Sequence, residues 1–300
     1  MSSHRAGETL IAVGNHPHCV YILGASELNE IQAIAFEEMP TRVVFDPSGE
    51  RFALAFENGG PASCVTFSYK GVVQVYEFIG ETWQLDLEWK AHSFFINAIM
   101  WNGRSLFTLL AEIADRDRIL TASDDKLLRL WDPSTGSQLA QSGKTASPIL
   151  CISPNTDGKV ICGDHHGSVH IFNASLVMKR VFKAHADLVW GVAVSSDGEI
   201  YTCGQDGWLK CWSDDGQPRW TLLLKHPIQA LVLSEPFVFV GVFGEEARKI
   251  DCNTGQIELV FATRHEECMV SACLLFGLVF MLGCATNRRR SRPAVCRLRV

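Results

Sequence analysis

From about residue 9 onward, short apolar runs alternate with polar turns rich in Asp, Ser, Asn and Gly. Runs of this length, bounded by turn residues and enriched in Val, Ile and aromatics, predict β-strands rather than helices. The runs come in pairs, read as a small-residue-terminated run followed by a second run ending in an aromatic or aliphatic residue. They are "LIAVG" with "CVYILG", "RFALAF" with "GVVQVYEF", "RILTAS" with "LLRLWD", "KVICG" with "SVHIFN", "EIYTCG" with "WLKCWS", "FVFVGV" with "ARKIDC", and "LVFMLGC" with "AVCRLRV". Turns such as "DPSG", "NTDG" and "SSDG" supply the Asp and Gly that tight reversals need. One stretch invites a different reading. Residues 268–285, "CMVSACLLFGLVFMLGCA", carry no charge and precede a basic cluster, the minimum pattern of a membrane-spanning helix. The stretch also fits the frame of "QALVLSEPFVFVGV" at 229–242, two buried strands around a turn. The two-strand reading is adopted, with Gly277 at the turn.

Two longer segments repeat one order of residues. Lys183–Gly216, "KAHADLVWGVAVSSDGEIYTCGQDGWLKCWSDDG", and Lys90–Gly136 share Lys-Ala-His, an apolar run, Thr-x-x-x-Asp and then Trp. From Trp131 the anchors fall at Phe172, Trp212 and Ile250, a spacing of about 40 residues, which is the period of a four-stranded propeller blade. A four-stranded sheet cannot cover both of its faces alone, but a succession of such sheets covers them mutually. The expectation is an all-β propeller of seven blades over residues 8–300 as one domain, or alternatively six full blades. Two lengthened connections, 57–70 and 102–117, stand out as functional loops or disorder, the second with a short helix on one rim. Too few residues precede the first pair for a strand to its inside, so the first blade is expected to lack its innermost strand, the last its outermost, and the seam to close irregularly.

Composition narrows the function. The chain has 300 residues, 47% hydrophobic and 20% charged, enough for a sizeable core. A net charge of -6 offers no broad footprint for nucleic acid. The one basic run, "NRRRSR" at Asn287–Arg292, is local and is read as a solvated loop. Eleven cysteines, many inside apolar strings, fit a reducing compartment, and the start of the chain shows no apolar signal segment. An intracellular location, cytoplasmic or nuclear, is expected, with the sequon at Asn173 unused and no membrane association.

The residues of the two long copies resemble the WD40-repeat family. In that family a His before the innermost strand, a Thr or Ser, a turn Asp and a Trp form a hydrogen-bonded chain. The resemblance places it at His92, Thr121, Asp125 and Trp131, and again at His185, Thr202, Asp206 and Trp212. Such a chain is structural, since buried indole and imidazole nitrogens need partners. The pair ending at Phe172 departs from the pattern, with His166 at the turn-Asp position and Phe in place of Trp, and the pair ending at Ile250 has neither anchor. Neither "WDPS" nor "WSDD" has the Trp-Asp-x-Arg ending of the family's ubiquitin-ligase receptors. The family's contact face, where the innermost strands begin, would present Phe95, Asn97 and Asp124 in one blade and Leu188, Trp190 and Gln205 in another.

Enzyme signatures are poor. "GSQLAQSGKT" ends like a phosphate-binding loop but has the wrong glycine spacing and lies in a strand-turn frame, and G-x-S-x-G is absent. The histidines of "NHPH" at 15–18 and "DHHG" at 164–167 lack a Cys or carboxylate set at metal-ligand spacing. The expectation is a non-catalytic scaffold or adaptor that binds other proteins or peptides within a multi-subunit complex, with no cofactor, metal, small-molecule substrate or nucleic acid. A reader of modified peptides and a component of an RNA-processing complex are the alternatives.

Overall fold

A computed structural model describes residues 3–6, 9–15, 18–24, 30–36, 40–46, 48, 50–56, 71–80, 82–102, 117–155, 158–243, 247–261, 268–275, 278–285 and 294–297. Every regular element among them is a strand, and each sheet is an antiparallel meander. The first sheet is β1 (Ser3–Ala6), β2 (Thr9–Asn15), β3 (His18–Gly24) and β4 (Glu30–Ala35). The second is β5 (Pro40–Phe45), β6 (Arg51–Phe56), β7 (Gly71–Ile79) and β8 (Thr82–His92), and the third is β9 (Ile96–Asn102), β10 (Arg118–Ser123), β11 (Leu128–Trp131) and β12 (Gln138–Gln141). The fourth is β13 (Ile149–Pro154), β14 (Val160–Asp164), β15 (Ser168–Phe172) and β16 (Met178–Lys183), and the fifth is β17 (Val189–Val194), β18 (Ile200–Gly204), β19 (Trp208–Trp212) and β20 (Pro218–Leu223). The sixth is β21 (Ile228–Ser234), β22 (Phe237–Val242), β23 (Ala247–Asp251) and β24 (Ile257–Phe261). The seventh has three strands, β25 (Cys268–Leu275), β26 (Leu278–Ala285) and β27 (Ala294–Arg297).

Each of the seven paired runs forms the second and third strands of one sheet. Residues 268–285 are a hairpin, from Cys268 opposite Ala285 to Leu275 opposite Leu278. Its turn, with Gly277, lies outside the described residues, and no helix among the described residues is long and apolar enough to cross a membrane. One expectation is corrected. The first sheet does have its first strand, because Ser3–Ala6 pairs with Thr9–Ala12. Four residues suffice for a short rung ladder, a length the apolar pattern does not signal. The 102–117 insertion lies almost entirely outside the described residues.

The chain divides into two compact units, residues 1–149 with 174–177, and 150–173 with 178–300. In each, the second strands are buried on both faces: β10, β14 and β18 are buried at every position. This is why they read as continuous apolar runs rather than alternating ones. The last strands are the opposite, with β16 exposed along most of its length. In the first unit, Val20, Ile22, Phe45, Phe52, Leu54, Tyr76 and Trp83 form one core cluster, and Val75, Ile96, Ile119 and Trp131 belong to another. In the second, Ile161, Val169, Ile200 and Trp212 form one cluster and Tyr201, Leu209, Ile228, Val240 and Ile250 another.

A recurrent contact fixes neighbouring sheets within each unit. A last-strand aromatic lies over the glycine that closes the next sheet's third-to-fourth strand turn: Trp89 over Gly136, Phe182 over Gly216 and Trp220 over Gly255. These glycines have φ of +66°, +77° and +68°, and a Cβ added to them would meet the ring at 3.2, 2.9 and 2.7 Å. Both the backbone conformation and the lid of aromatic carbon exclude a side chain there.

Candidate functional site

In the first unit, His92 ends β8 and its Nδ1 stands 3.0 Å from both carboxylate oxygens of Asp125, while its Nε2 is 2.7 Å from Thr121 Oγ1. Trp131 Nε1 donates to the same hydroxyl at 2.8 Å. Asp125 Oδ1 also accepts from Leu127 N at 3.2 Å and Oδ2 from Arg129 Nη1 at 2.8 Å, which ties the turn to the third strand. The second unit repeats the arrangement. His185 Nδ1 lies 2.8 Å from Asp206 Oδ1 and its Nε2 lies 2.8 Å from Thr202 Oγ1, which accepts from Trp212 Nε1 at 2.9 Å. Asp206 caps Ala186 N and Trp208 N at 3.0 and 3.2 Å.

The electrostatics follow from burial. Desolvation lowers the pKa of His92; the Asp125 hydrogen bond and charge oppose it, and Arg129 reinforces it. His185 is likewise lowered, by burial first, with Lys210 adding to it and Asp206 opposing. Burial pushes the Asp125 carboxyl up, but the hydrogen bond and charge of His92, joined by Arg129, outweigh it and hold the group well below the usual carboxylate range. Asp206 is lowered in the same way, burial being outweighed by His185 and two backbone N–H groups. A neutral imidazole then donates through Nδ1 to the carboxylate and accepts the threonine proton at Nε2, which leaves both ring nitrogens, the threonine hydroxyl and the indole N–H of each tetrad paired. Thr121 and Thr202 are 0% exposed, so neither hydroxyl is open to a substrate.

Cation positions repeat too. Arg129 Nη1 donates to Ala91 O at 2.9 Å and Lys210 Nζ to Ala184 O at 2.6 Å, each bracing the carbonyl just before the tetrad histidine. The fourth sheet departs from this plan, and sequence reasoning missed its substitute. His166 is exposed, and Asp164, 1% exposed, caps His166 N and Ser168 N at 2.9 and 2.8 Å and accepts from His170 Nε2 at 2.9 Å. The signal was present as an Asp and a His six residues apart across a hairpin turn; His170 stands opposite Cys162 in the ladder and reaches Asp164 diagonally.

The six candidate contact residues fall into two local groups, one in each unit. In the first, Asn97 Nδ2 donates to Asp124 Oδ1 at 2.6 Å and to Ile149 O at 2.9 Å, and Asp124 N donates to Phe95 O at 3.0 Å. In the second, Trp190 Nε1 donates to Gln205 Oε1 at 2.8 Å, and Gln205 N donates to Leu188 O at 2.9 Å. Asn97 and Trp190 are both bulge residues. The register skips each of them, passing from Ile96–Ser123 to Ala98–Ala122 and from Val189–Gly204 to Gly191–Cys203. A bulge turns a side chain away from the regular alternation, which frees it to reach the residue before the turn aspartate. Phe95, Leu188, Asn97, Trp190 and Gln205 are all half-buried. Among the described residues, no three of His, Cys, Asp or Glu converge as a metal site.

Two tetrads with identical connectivity and a strand meander in every sheet point to one family, and its model agrees: the "WD domain, G-beta repeat" matches residues 83–132 and 177–213. The chain carries WD40 repeats at those residues. Its curated relatives include the WD repeat and FYVE domain-containing protein 2 of Caenorhabditis briggsae, 28% identical over 42% of this chain and 33% of that protein. WD repeat-containing protein 90 of Xenopus tropicalis is 24% identical over 53% of this chain and 9% of that protein. The chain thus matches about a third of the first relative's length and about a tenth of the second's. The crystal structure of Saccharomyces cerevisiae Sqt1 superposes with a TM-score of 0.71 at 13% identity, covering 93% of this chain and 79% of that one. At that identity the likeness shows the fold, an all-β WD40 propeller type. WD40-repeat proteins generally mediate protein–protein interactions and are typically non-catalytic.

Proposed function

We propose that this chain is a non-catalytic scaffold or adaptor that holds partner proteins or peptides within a multi-subunit complex, with residues 8–300 acting as one propeller domain. The observation that carries this is the pair of first-strand bulges. Asn97 with Asp124, and Trp190 with Gln205, each present half-buried side chains already joined by a hydrogen bond, and Asn97 is held by a second to Ile149 O. Groups ordered before binding lose little freedom on docking, and a half-buried Trp is a frequent anchor. The buried threonine hydroxyls support the non-catalytic side of the reading. Cys162, Cys203, Cys211 and Cys252 are buried thiols outside any disulfide, which favours the cytoplasm or nucleus over an oxidising compartment.

Affinity purification of the intact chain beside its Trp190→Ala variant tests the reading. A hot-spot loss of at least about 2 kcal/mol weakens partner recovery by roughly 30-fold, with the cooperative unfolding transition retained. Undiminished recovery overturns the role of Trp190. Loss of the transition assigns Trp190 to the core instead.

A further inference from the structure

The ladder between third and fourth strands stops one rung past its bulge in five of the sheets. It ends at Leu23–Glu30 in the first, Trp131–Gln138 in the third, Phe172–Met178 in the fourth, Trp212–Pro218 in the fifth and Ile250–Ile257 in the sixth. The second sheet continues. After the bulge rung Tyr76–Leu85 come Glu77–Gln84, Phe78–Trp83 and Ile79–Thr82, so β7 and β8 reach nine and eleven residues. The extension is held in place, because Phe78 N donates to Glu50 O and Trp83 N to Gln32 Oε1, each at 3.0 Å. Tyr76 and Trp83 belong to the core cluster, whereas Phe78 and Leu85, the other diagonal of the same four-residue face, are 47% and 51% exposed.

Acidic groups flank this apolar pair. Glu50 is exposed beside Phe78, Asp86 is the exposed bulge residue after Leu85, and Glu88, also exposed, is on the next rung of the same face, opposite Gln74. Of the neighbouring bases, Arg51 is engaged by Asp46 and Asp117, and Lys90 lies beyond Glu88, opposite Val72. Charge complementarity therefore calls for a ligand with Lys or Arg on either side of apolar side chains. Diagonal cross-strand positions are roughly 7–8 Å apart, and alternate residues of an extended chain, which point to one side, are about 6.6 Å apart. We propose that the extended β7–β8 hairpin docks an extended basic segment of a partner protein. Two apolar residues at i and i+2 cover Phe78 and Leu85, while flanking Lys or Arg side chains pair with Glu50 at one end and with Asp86 and Glu88 at the other. The surface lies on a different sheet from the first-strand bulges and shares with them only that the chain binds proteins.

The test selects a displayed library of random dodecapeptides on the intact chain and depletes it on the Leu85→Ser variant, a change at a half-exposed position. Binding of the retained peptides is read by fluorescence anisotropy. They carry two apolar residues two apart, flanked by Lys or Arg, and lose affinity as salt rises because exposed ion pairs are screened. Phe78→Ser and Glu88→Lys each weaken binding by about tenfold or more, and Trp190→Ala leaves it unchanged. Exchanging one basic residue of the peptide for Glu restores binding to Glu88→Lys, which a misfolded variant could not show. Failure to retain any peptide, retained peptides without basic residues, and a Glu88→Lys loss that no such exchange restores each overturn the proposal. Peptides that lose affinity on Trp190→Ala but not on Leu85→Ser also overturn it, and in that case docking at the bulges stands.

Discussion

Replacing Thr202 with valine keeps the shape of a fully buried side chain and deletes one oxygen. That oxygen lies 2.8 Å from His185 Nε2 and 2.9 Å from Trp212 Nε1. The substitution therefore strands an imidazole acceptor and an indole donor in the interior. Each stranded group costs about 1–3 kcal/mol, and after allowing for the favourable burial of the new methyl the loss is about 2–4 kcal/mol. That is a large share of the roughly 5–15 kcal/mol that holds a domain folded. Urea unfolding followed by circular dichroism and tryptophan fluorescence measures it, with Thr221→Val, an exposed strand position, as the control expected to stay within about 0.5 kcal/mol. Because the Trp212 bond is lost in Thr202→Val, adding Trp212→Phe to that variant removes the stranded donor, and the two changes should cost about 1 kcal/mol less together than separately. A Thr202→Val loss below about 0.5 kcal/mol, or fully additive costs in the double variant, would refute the argument that this hydroxyl joins the two rings.

Acid should weaken the fold in two steps of the same sign. The folded-state pKa values of His92 and His185 are lowered, so the unfolded chain takes up protons first and stability falls as pH drops below about 6.5. Asp125 and Asp206 are also lowered, and their contribution, present above the unfolded value, is lost as pH falls below about 4; an unfolding midpoint flat between pH 7 and 5 would contradict the first step. Gly255→Ala and Gly80→Ala separate backbone strain from overlap. Both glycines have positive φ, +68° and +67°, but only the first would place its Cβ against a ring, Trp220 at 2.7 Å, while the second has nothing within 4 Å. Gly80→Ala should cost about 1 kcal/mol and Gly255→Ala about 1–3 kcal/mol more, measured by the same urea titration; equal costs would mean that Trp220 gives way freely.

How much was legible beforehand depended on range. Strands buried on both faces announce themselves by composition alone, so "RILTAS", "KVICG" and "EIYTCG" were readable as β10, β14 and β18. His, Thr, Asp and Trp recur in one order in two segments, and the resemblance to the WD40-repeat family is what assigned them to hydrogen-bonded chains. β1 was not legible, since four residues carry too little pattern to distinguish a short strand from a leader. The Asp164–His170 pair escaped because the recurring order assigned the turn position to His166, and only the pairing of β14 with β15 shows which of three nearby histidines faces the carboxylate.

The order of apolar runs and turns sufficed for the all-β class and for the second and third strands of every sheet, while the tetrads came from the resemblance of two repeated segments to the WD40-repeat family. These are consequences of local periodicity and of spacing within about 40 residues. Which glycines lie beneath an aromatic ring, and which candidate contacts are joined to each other, emerged only from the three-dimensional arrangement. Those facts depend on where two strands slip by one residue and on how neighbouring sheets stack. Register and stacking are set by the sum of many side-chain contacts rather than by any one stretch of sequence.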